Sequence, residues 1–161
     1  MADEKFIKSW DEIPEREELL VKIHYRMKEI PWKIWNLTGL EMDAIEREKD
    51  SRLTELEKTK PEPKKILIQG QMKPQVDDSK YQELLANWEK SVKDQKDKIN
   101  RWYEFKVLEI GLCQCNGWQI EGETEQEKID FVHKKVGAMW GALAVQIYKF
   151  SNIQDVNIQR F

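Results

Sequence analysis

A mainly α-helical protein is predicted by three observations in this 161-residue chain. Apolar residues recur at steps of three or four over three long stretches, which is the spacing of one helix face. Thr38-Gly39-Leu40-Glu41 and Thr124-Glu125-Gln126-Glu127 are capping boxes, in which hydroxyl and carboxylate satisfy free backbone N–H groups at a helix start. Extended candidates are confined to residues 66–69 and 118–121. The expected architecture is a helical domain with one long charged helix, a buried C-terminal helix and at most a small two-stranded β patch.

The chain is expected to organise around residues 79–112. Asp77-Asp78-Ser79 offers an N-cap, and Tyr81, Leu85, Trp88, Val92, Ile99 and Trp102 follow at helical steps. Residues 91–98 have only Val92 to bury and carry acid-to-base pairs four apart, such as Asp94 to Lys98. The middle of this helix therefore reads as a solvated strut.

Before it lie an N-terminal helical region (1–60) and a Pro-flanked extended linker (61–78). After it the core region runs from 79 to 161, and the three make one domain or a domain with an arm. Pro14-Glu15-Arg16-Glu17-Glu18 resembles a helix start, with Leu19, Leu20, Ile23, Met27 and Ile30 as the stripe and Pro31 as the stop. Val21, Ile23, Tyr25 and Met27 also alternate with polar residues, a strand pattern. The helix is preferred, because Glu, Leu, Lys and Met dominate. Trp32 and Trp35 then share one side of a helical turn. A second helix runs from the first capping box to about Lys58 on a thin stripe, Met42, Ile45, Leu53 and Leu56.

Lys65-Ile66-Leu67-Ile68-Gln69 is a short strand candidate between prolines, and Trp118-Gln119-Ile120-Glu121 is the partner expected for it. The last helix should run unbroken from the second capping box to about Phe150. Residues 136–145 carry no polar side chain on any face, so this half is expected to be buried all round. Gly137 and Gly141 lie one turn apart, and close helix packing at Gly141 would offset their low helix propensity. Ile153, Val156 and Ile158 are spaced for one more short helix ending at Phe161.

Net charge is −3 with both signs interspersed, so no basic face marks a nucleic-acid footprint. The longest apolar run, 136–145, is about half a membrane span, and the first ten residues hold no secretory apolar run. No nucleic acid and no membrane are expected as partners. Cys113 and Cys115 are too close for an ordinary disulfide, and one such pair lacks the second knuckle of a structural zinc site, even with His24 and His133 in the chain. No nucleophile elbow, phosphate-cradling loop or paired-acid motif is present. No catalytic, cofactor-binding or metal site is expected. Seven tryptophans are many for this length, and Trp belongs to cores and to interface hot spots. Trp10, Trp32 and Trp35 are the candidate partner-binding residues.

Pro61-Glu-Pro63, Asp77-Asp78-Ser79-Lys80-Tyr81-Gln82-Glu83-Leu84-Leu85, Gly111 and Phe150-Ser151-Asn152-Ile153 through Phe161 stand in a telling order. The pattern is a Pro-flanked extended segment, an Asp-rich cap opening a long charged helix, a glycine link, and a helix ending in a Ser-Asn-Ile turn. In this order residues 61–161 resemble small tail-module proteins of long-tailed bacteriophages, tail assembly chaperones in particular. The resemblance implies a non-catalytic interaction protein or minor virion structural component without cofactor, binding tape measure or tail tube subunits in the host cytoplasm or the assembled virion, with self-association left open. A cellular helical adaptor or regulatory domain is the alternative.

Overall fold

A computed structural model describes residue 9 and residues 16–152. Trp10, the helix start at Pro14 and the short helix expected after Ile153 lie outside the described residues. The fold is mainly α, and the chain divides into two compact units. One comprises the described residues up to Ala44 together with those from Glu104 to Asn152, and the other is Ile45–Tyr103.

The first unit opens with a hairpin where a helix was expected. β1 (Glu18–Tyr25) pairs antiparallel with β2 (Lys28–Trp35), with Ile23 opposite Ile30 and Val21 opposite Trp32. The two-residue turn is Arg26-Met27, with φ of 47° and 62°. Both signs match the type I′ turn, whose twist suits a hairpin but which ordinarily calls for Asn-Gly. With that turn signal missing, nothing opposed the Glu-, Leu-, Lys- and Met-rich composition that favoured a helix. Pro31 does not end the element. Counting from the turn, Lys22–Pro31 falls at a non-hydrogen-bonded pair, so the N–H that proline lacks would have pointed away from the ladder.

A hairpin has two faces, and these differ. Ile23 and Ile34 are buried on one, beside Val21, Ile30 and Trp32. The opposite face carries Lys22 with Glu29 at 4.0 Å and Lys33 with Glu18 at 3.9 Å. Replacing Arg26 by Asn together with Met27 by Gly is expected to stabilise by about 1 kcal/mol, because neither new residue resists positive φ as a longer side chain does. A raised urea midpoint checks this, and an unchanged one would mean the turn holds no strain.

α1 (Gly39–Glu57) starts on its capping box: Thr38 N–H donates to Glu41 Oε1 at 2.9 Å, and Glu41 N–H donates to Thr38 Oγ1 at 3.3 Å. Arg16 donates to the same carboxylate at 2.6 Å. Burial works to raise the Glu41 pKa, but the Arg16 and Thr38 bonds together outweigh it and hold the carboxyl below its ordinary 4.5. A carboxyl depressed by folding stabilises fully above its unfolded value and loses that stabilisation as pH falls through the folded one. Arg16→Ala should therefore flatten the decline in urea midpoint between about pH 5 and about pH 3. An unaltered slope would show that the ion pair contributes nothing.

In the second unit, α1 continues beside α2 (Ser79–Leu108). Lys49 Nζ sits 4.4 Å over the Tyr103 ring, the Arg52 guanidinium 4.1 Å over Trp102, and Trp88 Nε1 donates to Thr59 Oγ1 at 2.8 Å. Contacts that descend α2 as they ascend α1 define an antiparallel helical hairpin. Ile45, Leu56, Val92 and Trp102 are its buried apolar residues, while 93–98 are exposed, as a solvated strut requires. The linker folds as a second hairpin, β3 (Lys65–Ile68) with β4 (Gln71–Pro74), turning at Gln69-Gly70 with φ of 50° and 78°. Every residue of these two strands is exposed. The expected pairing of 66–69 with 118–121 is not made, because the nearer β4 takes the place.

Back in the first unit, α2 widens into a π-helical segment, Glu109–Gln114. The wider turn changes the phase of the helix and buries Gly111, Leu112 and Cys113 in succession. α3 (Glu125–Val136) starts on the second capping box, and α4 (Trp140–Ser151) follows a 3-10 turn at Gly137–Met139. The single helix expected here is broken at Gly137, whose φ of 63° leaves the helical region. Only one face of α4 is buried, through Trp140, Leu143, Ala144 and Ile147. Gly141 is exposed, and a Cβ built there meets nothing within 4 Å. The close approach expected at Gly141 instead occurs at Gly111, where a Cβ would stand 2.5 Å from Ile147 Cγ2.

Candidate functional site

The site is a pocket of about 320 Å³ in the first unit, where β2, the π segment, residues 118–120 and α3 meet. That volume lies at the small end for ligand pockets. Its position follows from how the helix before it ends. Trp118 N–H donates to the Cys113 carbonyl at 2.9 Å and Gly117 N–H to the Gln114 carbonyl at 3.2 Å, with Gly117 at φ 68°. This is the Schellman arrangement, in which glycine takes the left-handed position and the next residue packs back on the last turn. The residue so placed is Trp118, and it lines the pocket beside Cys113. Asn116 holds the same helix end to the hairpin, donating to the carbonyls of Lys33 at 2.9 Å and Leu112 at 2.8 Å.

Trp32 and Trp118 meet edge to face, 6.3 Å apart at 79°. Trp118 is 51% exposed, so this indole gives the site a wall open to water. Leu112, Val132 and Val136 form the apolar floor, all of them buried. Lys135 is the one charged side chain lining the pocket, with its Nζ 5.6 Å over the Phe131 ring. No carboxylate pairs with it among the described residues. Trp32 Nε1 is buried and meets no acceptor among them either.

The three candidate tryptophans therefore separate. Trp32 lines the pocket. Trp35, three residues on, points to the opposite face of the strand, where Arg16 lies 5.3 Å over its ring and its Nε1 donates to Glu18 at 3.5 Å. A helical turn would have put both on one side, but alternation in a strand divides them. Trp10 is outside the described residues. The sequence reading missed Trp118 and Lys135 as site residues. Gly117 just past an apolar helical run was the available signal for the first, and the four-residue step from Phe131 for the second.

Cys113 contributes bulk here. Burial, with the Glu109 carboxylate adding to it, pushes its thiol up to about 11, so the nucleophilic thiolate is scarce at neutral pH. In a Cys115→Ser background, Cys113 should react with an aromatic disulfide reagent only as fast as the unit opens, roughly 100-fold or more slower than the urea-unfolded chain. Equal rates would show the thiol to be open. No three His, Cys, Asp or Glu side chains are grouped to hold a metal among the described residues, and no helix there is long and apolar enough to cross a membrane.

No protein-family model, curated protein or solved structure matches this chain.

Proposed function

We propose that this chain is a non-catalytic protein–protein interaction protein, and that it serves a long-tailed bacteriophage as a tail assembly chaperone or minor virion component. The interaction half rests on the Trp32–Trp118 pocket: a half-exposed indole at an apolar cavity has the composition of an interface hot spot. The tail half rests on the resemblance of residues 61–161. Tape measure or tail tube subunits are then the partners, met in the host cytoplasm or retained in the virion.

The test is co-expression with the tape measure and tail tube subunits of the same phage, followed by gel filtration. A complex that forms with the wild type and is lost in Trp118→Ala supports both halves. A complex that survives Trp118→Ala removes the pocket from the account, and no complex with either subunit removes the tail assignment.

A further inference from the structure

We infer that the Trp32–Trp118 pocket takes an extended segment of its partner in which a large apolar side chain, aromatic or leucine-like, adjoins an acidic residue. This rests on the docking role proposed above and specifies the partner's chemistry. Three observations carry it. The cavity has apolar walls and floor and suits one large side chain. Lys135 at the pocket is a cation without an ion-pair partner among the described residues, so a carboxylate beside the anchor completes it. The third observation selects a peptide over a free apolar acid. Gln119 and Ile120 line the same pocket, lie outside any helix or strand, and have no backbone hydrogen-bond partner among the described residues. An extended chain laid along them can exchange main-chain hydrogen bonds with these unpaired backbone groups while one of its alternate side chains enters the cavity.

The charges also orient the segment. Glu121 follows Ile120 and is exposed, whereas Lys134 and Lys135 stand together on α3. The partner's acid therefore belongs at the α3 side of the anchor, away from Glu121.

The probes are N-acetylated pentapeptide amides with a central phenylalanine, flanked on both sides by glutamates in one and by lysines in the other, and decanoate as a free apolar acid. Each is titrated against the full chain by calorimetry at low and physiological salt. The glutamate peptide should bind with one-to-one stoichiometry, at least about tenfold tighter than the lysine peptide, and weaken as salt is added. Lys135→Glu should erase that preference, and Trp118→Ala should weaken the glutamate peptide about tenfold or more. Both positions are exposed, so the variants are expected to fold, and circular dichroism confirms it. Equal binding of the two peptides, a preference unchanged in Lys135→Glu, no binding of the glutamate peptide, or tighter binding by decanoate would each overturn the inference. The docking reading fails separately, through retention of the tail-subunit complex by Trp118→Ala.

Discussion

Replacing Gly111 by leucine is expected to cost the first unit more than about 3 kcal/mol, above the usual range for inserting methylenes into a packed core. A bare Cβ at Gly111 already stands 2.5 Å from Ile147 Cγ2 and 2.9 Å from Ile147 Cδ1, and Ile147 is fully buried, so it has no open side toward which to withdraw. Gly111→Ala should cost about 1–3 kcal/mol by the same contact. A double-mutant cycle isolates the cause: with Ile147→Ala already in place, the added cost of Gly111→Ala should fall well below its value alone. Gly141→Ala is the control. With nothing within 4 Å of its Cβ and an ordinary helical position, it should stabilise by up to about 1 kcal/mol through helix propensity. Urea midpoints measure every variant, and a neutral Gly111→Ala would show that the crossing is looser than the contact distances state.

Phe105→Ala should be the costliest simple truncation, at about 3–5 kcal/mol. Phe105 is the largest fully buried side chain among the described residues and lies on the last turns of α2, one helical step before Leu108, which is also fully buried. The cavity left cannot collapse cheaply when its neighbours along the helix are themselves locked in the core. Val92→Ala, on the sparsely buried strut of the second unit, should cost less. Equal effects of the two in chemical denaturation would contradict this ranking of the two units' cores.

How much of this was legible in the sequence depends on whether the signal was local. Both capping boxes form as written, since a hydroxyl and a carboxylate three residues apart need nothing beyond their own helix turn. The α2 stripe, its solvated middle and strand β3 were legible for the same reason. The β1–β2 hairpin was not, because Arg26-Met27 carries none of the Asn or Gly that announces such a turn, although the alternation from Val21 to Met27 was visible. The break at Gly137 and the π segment at Glu109–Gln114 were hidden in apolar runs that fit an unbroken helix equally well. Of the candidate site, Trp32 was legible and its companion was not. Trp118 gains its place from the helix end at Gly117, and the geometry of that end appears only once the π segment fixes which carbonyls are free.

The first unit is discontinuous in the chain. Leu37 N–H donates to Ser151 Oγ at 2.7 Å across 114 positions, and that hydroxyl in turn donates to the Ile147 carbonyl at 2.7 Å. Between the two halves run the roughly 60 residues of the second unit. Its helix–helix contacts all close within its own span, Thr59 with Trp88 and Lys49 with Tyr103, over shorter separations than the 114 positions between Leu37 and Ser151, and shorter-range contacts form faster. An α-hairpin that folds early shortens the effective loop between the halves of the first unit, so less closure entropy remains to be lost when they meet. On a ribosome the order is stricter still. The β1–β2 hairpin emerges before α4, which completes the unit, so the hairpin's apolar face waits uncovered while the residues between them are synthesised. A chain arranged in this way has a built-in interval of vulnerability to aggregation, set by the rate of translation.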